Sequence, residues 1–225
     1  MSSSVTVRFA SAEVGTGILG GTFDPVHDGH IALAARVRDA LHLEAVRLMP
    51  NSIPPHRPQP LATAQHRLAM LRLAVHGRPG LVVDDRELRR TGPSWTVDTL
   101  EELRRELGPQ ARLVLILGAD AFAELGSWSR WLRVFSLAQI AVVGRPGSAV
   151  RPLPGMPSDV RWSESPGPIE APACAVTVLA EEVSPYSASA LRETLLSNPG
   201  VHPPGLCEPV HHYIQAHSLY GGRPQ

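Results

Sequence analysis

From Gly20 to His30 the chain reads Gly-Gly-Thr-Phe-Asp-Pro-Val-His-Asp-Gly-His. Gly20 and Gly21 let a backbone turn tightly and come close to a ligand. Gly29 allows close packing where a following helix begins. His27 and His30 are three residues apart at that helix start, so both rings can face one cavity. A helix N-terminus at this point adds partial positive charge and N–H donors. The combination forms an anion site suited to the α-phosphate of a nucleotide. The plainer alternative makes His27 a helix cap and His30 a partly buried ring; the pairing inside a glycine-rich turn favours the chemical reading. A metal site on this pair is not expected, because no third ligand stands nearby.

The composition narrows the chemistry. All 21 basic residues are arginine, balanced by 21 acidic residues. Without lysine there can be no Schiff base, lysyl-adenylate or Walker A loop. A phosphate clamp must then come from arginine, histidine, backbone N–H groups and helix ends. Zero net charge gives no long basic track for nucleic acid and no basic face for an anionic membrane. The two cysteines, Cys174 and Cys207, are too few for a zinc site or disulfide framework and read as reduced thiols. No apolar run is long enough to span a membrane, and the N-terminus lacks a signal-peptide layout, so the expected location is cytoplasmic. With 225 residues and 43% hydrophobic content, one α/β domain is expected over 14–222, after a flexible extension at 1–13.

Strand and helix patterns alternate along the chain. Strands are expected at Gly15–Gly20, Ala45–Met49, Leu81–Val83, Arg112–Leu117, Gln139–Val143 and Ala175–Leu179. Helices are expected at His30–Leu41, Ala64–Val75 with Thr63 as cap, Val97–Leu107, Ser187–Leu196 and Glu208–His217. Most of 144–172, rich in proline and glycine, is given no regular structure. This order implies a Rossmann-like, doubly wound, mostly parallel sheet with helices on both faces. Ligands of such sheets sit beyond the carboxyl ends of the strands, which directs attention to 20–30, 50–60, 118–128 and 180–192.

The string Gly20–His30 resembles the signature of the HxGH nucleotidylyltransferases. Four further stretches are similar to bacterial nicotinate-nucleotide adenylyltransferases: Pro50–Arg57 after the second strand, Ser94-Trp95-Thr96-Val97-Asp98-Thr99-Leu100, Gly118-Ala119-Asp120 followed by Trp128, and Ser187–Arg192. The likeness runs from about Gly17 to Tyr220. Ser189 replaces the family's threonine, and Tyr186 stands where an aliphatic residue is usual.

The resemblance implies transfer of the adenylyl group of ATP to nicotinate mononucleotide, with pyrophosphate released. His27, His30 and Arg192 would stabilise the transferring phosphate. ATP would also be held by Gly20, Gly21, Thr22, Phe23, Gly118, Asp120, Ser187 and Ser189, with Asp120 on the ribose. His56, Arg57, Thr96 and Trp128 would hold nicotinate mononucleotide, Trp128 by stacking on the pyridine ring. Mg²⁺ would arrive with ATP rather than in a dedicated protein cage. Trp95 and Trp131 are expected simply to pack. The plainer alternatives for the clamp are an N-cap for Ser187 and a solvent-facing ion pair for Arg192. The nearest competing enzyme class is pantetheine-phosphate adenylyltransferase, which usually has threonine at the position of His27 and lacks the Ser94–Leu100 stretch. The second competitor is a nucleotide-binding regulatory module without catalysis. A dehydrogenase reading is poor, because no G-x-G-x-x-G follows the first strand.

Overall fold

The computed structural model describes residues 15–52, 59–144, 150–165, 167, 169, 171–180, 184–198 and 200–221. Its strands are β1 (Gly15–Gly21), β2 (Leu43–Pro50), β3 (Leu81–Val83), β4 (Leu113–Gly118), β5 (Gln139–Gly144), β6 (Arg161–Ser163) and β7 (Ala175–Ala180). They form one sheet in the order β3-β2-β1-β4-β5-β7-β6, and every pairing is parallel. The helices are α1 (Asp28–Ala40), α2 (Ala64–Val75), α3 (Arg86–Arg89), α4 (Thr96–Leu107), α5 (Ala119–Ala123), α6 (Trp131–Leu137), α7 (Ala188–Ser197) and α8 (Glu208–Ala216).

A parallel strand buried on both faces needs apolar side chains in both directions, which the unbroken runs of β4 and β5 provide. One face is covered by α1, α2, α7 and α8, whose Ile31, Val37, Met70, Leu71, Leu191 and Val210 meet Leu19, Val46, Leu48 and Val114. The other is covered by α4, α5 and α6, whose Leu100, Leu103, Phe122 and Phe135 meet Ile18, Leu115 and Leu117. The expected doubly wound architecture is therefore present. Strand order reverses direction between β1 and β4, and the carboxyl ends of these neighbours, Gly21 and Gly118, flank the crevice where such folds bind ligands.

Three features differ in detail from the sequence reading. Helix α1 begins at Asp28, two residues before the expected start, which makes His27 its N-cap residue. Within 144–172, β6 adds a three-residue strand against β7, pairing Trp162 with Val176. Helices α3, α5 and α6 were not expected as elements; α3 has four residues, α5 five and α6 seven. At under two turns, each is too short for a 3.6-residue apolar stripe to repeat.

A charged cluster lies under α4. Arg47 of β2, only 7% exposed, donates to Asp84 at 3.1 Å and to Glu106 at 3.2 Å. Arg86 reaches Asp84 at 2.7 Å and Glu106 at 2.8 Å. Burial pushes the Asp84 carboxyl up, but hydrogen bonds and charge from Arg86, with help from Arg47, outweigh it and leave the pKa below its ordinary value. Beside them the buried Glu87 accepts the Thr99 hydroxyl at 2.6 Å, and burial raises its pKa despite that bond and Arg90.

Candidate active site

The turn leaving β1 is held from several directions. Phe23 takes a left-handed conformation, φ 50°, which non-glycine residues rarely adopt unless neighbours impose it. Its ring is buried and meets His30 edge-on at 4.9 Å. Arg67 of α2, 1% exposed, donates to the Thr22 carbonyl at 2.6 Å and to the carbonyls of Asn51 and Ser52 at 2.8 and 3.2 Å. One guanidinium thus fixes the turn after β1 to the loop after β2. The Asp24 carboxylate accepts the amides of Leu61 and Ala62 at 2.8 and 3.1 Å and the Tyr220 hydroxyl at 2.5 Å.

His27 and His30 share one face of the turn. Their ring centroids are 3.8 Å apart, and the His27 amide donates to His30 Nδ1 at 3.3 Å. Burial lowers the pKa of His27 from 6.5 to about 4, partly countered by Asp28. Burial, and then the neighbouring His27, lowers His30 to about 3. Both rings are therefore neutral at pH 7. The start of α1 is also less open to anions than the sequence suggests. The Asp28 amide donates to the Gly205 carbonyl at 2.8 Å, and the His30 amide to the His27 carbonyl at 2.9 Å. Free helix donors are thus fewer than expected, and fixed positive charge must come from elsewhere.

Arg192 supplies it. This arginine, one turn into α7, donates to the Asp24 carbonyl at 2.6 Å and to Ser189 Oγ at 3.2 Å. Among the described residues it makes no salt bridge, so the surface ion pair is not seen. Ser187 does cap α7, accepting the Ala190 amide at 3.2 Å. Gly29 explains how α1 and the segment before α7 come together. A Cβ there would lie 2.8 Å from Ser184 Cβ and 2.9 Å from His27 Nδ1, so only glycine fits. Tyr186 also has a structural partner, its ring covering Gly205 so closely that a Cβ on that glycine would lie 2.3 Å away.

The other expected residues occupy the rim. Gly20, Gly118 and Asp120 are exposed or open at the ends of β1 and β4. Thr96 opens α4, and Trp128 is half-buried against the α4–α6 core together with Trp95 and Trp131. Ser94 Oγ accepts the Ser52 amide at 3.0 Å, drawing the loop after β2 to the start of α4. Among the described residues no hydrogen bond or ring contact joins Thr96, Trp128 or Asp120 to the histidine turn. His56 and Arg57 lie outside the described residues, as does the 1–13 extension. Cys174 and Cys207 are free and half-buried. Among the described residues no group of three or more His, Cys, Asp or Glu is placed to hold a metal ion, and no helix is long and apolar enough to cross a membrane.

Arg67, Asp24 and Tyr220 escaped the sequence reading. Arg67 sits beside an apolar helical stripe, where arginine ordinarily faces water. Asp24 carried a weak signal, lying inside the motif. Tyr220 carried none.

Comparison with known proteins places the chain in a family. Residues 18–194 match the cytidylyltransferase-like family. A protein of Pseudomonas entomophila named probable nicotinate-nucleotide adenylyltransferase is 43% identical, with 98% of each chain covered. One of the same name from Laribacter hongkongensis is also 43% identical, over 92% of this chain and 94% of that one. The structure of Plasmodium falciparum nicotinic acid mononucleotide adenylyltransferase complexed with NaAD superposes with a TM-score of 0.66 at 15% identity, covering 95% of this chain and all of that one, which shows a shared fold. The chain belongs to the cytidylyltransferase-like family and, within it, to the nicotinate-nucleotide adenylyltransferases.

Proposed function

We propose that the crevice between β1 and β4 transfers the adenylyl group of ATP to nicotinate mononucleotide, as the family's name describes. The observation that carries the reading is the glycine turn itself, where two imidazoles lie 3.8 Å apart and the Arg192 guanidinium, bound among the described residues to neutral oxygens, joins them through the Asp24 carbonyl.

The phosphate of nicotinate mononucleotide attacks the α-phosphorus of ATP. One P–O bond forms, the α–β bridging P–O bond breaks, and its electron pair leaves with pyrophosphate. A phosphate monoester is already anionic near pH 7, so no general base is required. Holding both substrates in line can account for about 7–11 kcal/mol of the barrier. His27 and His30 act as hydrogen-bond donors to the α-phosphate. Burial holds them neutral at pH 7, and the charge of a bound triphosphate raises their pKa. Arg192, with Ser187 and Ser189, holds the β- and γ-phosphates. Backbone groups from Gly20 to Phe23 line the polyphosphate, and Asp120 with Gly118 holds the ribose. Mg²⁺ enters as part of the ATP substrate. Trp128 stacks on the pyridine ring, Thr96 donates to its carboxylate, and His56 with Arg57 binds the mononucleotide phosphate. These substrates suit a cytoplasmic enzyme.

The direct test is pyrophosphate release from ATP with nicotinate mononucleotide, nicotinamide mononucleotide or phosphopantetheine as acceptor. Fast release with the first supports the assignment. Release with phosphopantetheine alone, or none with any acceptor, overturns it.

A further inference from the structure

The turn that presents His27 and His30 is not held by local bonds alone. Asp24 is only 5% exposed, and a buried carboxylate without donors is strongly destabilising. Two of its donors are the amides just before α2. The third is the hydroxyl of Tyr220, from 196 residues away, in a helical turn that follows α8. Tyr220 itself has a left-handed backbone, φ 53°, and it packs on the core that includes α1 and α2. The backbone carbonyl of the same Asp24 holds Arg192. Asp24 is thus the point where the phosphate-binding turn, the phosphate-binding helix and the C-terminal turn meet.

We propose that Tyr220 is a positioning residue for adenylyl transfer: through its hydroxyl on Asp24, the C-terminal turn latches the 22–28 segment in the conformation that aims both imidazoles and Arg192 at the triphosphate. The phenol suits this role. Burial, then its bond to Asp24 and that carboxylate's charge, hold it protonated against the opposing pull of Arg192 and Arg67, so it is a donor at neutral pH. The strained Phe23 backbone gives the latch something to oppose, since a residue held in a disfavoured conformation relaxes when its restraints are removed. The catalytic consequence rests on the adenylyltransferase reading; the latch itself does not.

The test uses the full-length chain and the Tyr220→Phe variant, with Leu219→Ala as a packing control that keeps the hydroxyl. Amide hydrogen exchange across 22–28 reads the latch directly. Tyr220→Phe is expected to speed that exchange and lower kcat, each by about tenfold, the loss of roughly one hydrogen bond to a charged group. KM for nicotinate mononucleotide should stay at the parent value. Leu219→Ala is expected to lower the melting temperature more than Tyr220→Phe while leaving kcat unchanged. In an Asp24→Ala background, Tyr220→Phe should add nothing further. Unchanged exchange at 22–28 in Tyr220→Phe, an equal loss of kcat in Leu219→Ala, or additive losses with Asp24→Ala would each overturn the latch. A parent chain that releases no pyrophosphate but shows the exchange effect would sink the adenylyltransferase reading and leave the latch standing.

Discussion

Two clusters of ionisable side chains lie on this sheet, and they are built on opposite terms. Under α4, Arg47, Asp84, Arg86 and Glu106 close on one another, each charge facing an opposite charge at 3.2 Å or less. At the β1–β4 crevice, two imidazoles are held neutral by burial, and Arg192 meets a carbonyl and a hydroxyl rather than a carboxylate. In the first cluster the protein neutralises every charge itself. In the second it leaves a cation and two proton-accepting rings whose electrostatic demand a polyanion can meet. The difference separates a cluster that holds the fold from one fitted to the polyanionic substrate proposed above.

The sharpest way to break that comparison is at the histidines. His30→Ala should lower kcat by about 10²–10³, the usual loss when one preorganised donor to a transition-state oxyanion is removed, while circular dichroism shows an intact fold. A folded variant with parental turnover would place the histidines in the structural class. The converse holds under α4. Asp84→Ala takes from Arg47 and Arg86 the more buried of the two carboxylates they share, and removing one member of a buried pair costs about 3–5 kcal/mol. Urea titration should show that loss, with kcat per folded molecule unchanged. A loss of turnover without a loss of stability would mean that this network also serves the chemistry. The nicotinate side should respond less: if Trp128 stacks on the pyridine ring as proposed, Trp128→Ala removes one ring stack, worth about 1–3 kcal/mol by analogy with base stacking on aromatic side chains. Calorimetry should show that weakening for nicotinate mononucleotide and not for ATP; equal losses would assign Trp128 to packing.

How these regions could be read from the sequence follows the same division. The glycine-rich turn was legible because Gly20, Gly21, Gly29, His27 and His30 are consecutive enough to announce one local geometry. The sheet was legible because apolar runs such as Leu113–Leu117 carry their burial in their composition. The supports of the site were not. Arg67 and Tyr220 matter through bonds to Thr22 and Asp24 formed across 45 and 196 residues, and neither position carries a local pattern that differs from an ordinary helix or tail. The neutrality of the histidines was hidden too, because it arises from burial by helices far apart in sequence.

Acid stability offers the finest separation of the two regions, and its sign can be worked out. The histidines have an ordinary pKa of 6.5 and folded values of about 4 and about 3. Below pH 6.5 the unfolded chain therefore binds protons that the folded chain refuses, and stability falls as pH drops towards 4. Asp84 and Glu106 are lowered from ordinary values of 3.8 and 4.5, so their contribution is present above those values and is lost only in stronger acid. Glu87, raised by burial, contributes stability that is lost as pH rises through its folded value, and so partly masks the histidine effect. The mask cancels when the parent is compared with His30→Ala. Between pH 6.5 and 4.5 the parent's melting temperature should fall further than the variant's, by about 2–4 °C for each kcal/mol of histidine linkage. Saturating ATP should shrink that difference, because a bound triphosphate raises the ring's pKa and lets the folded state accept the proton. Parallel pH profiles for parent and variant would mean that His30 is already open to solvent protons, and the contrast between a satisfied cluster and a waiting one would lose its electrostatic basis.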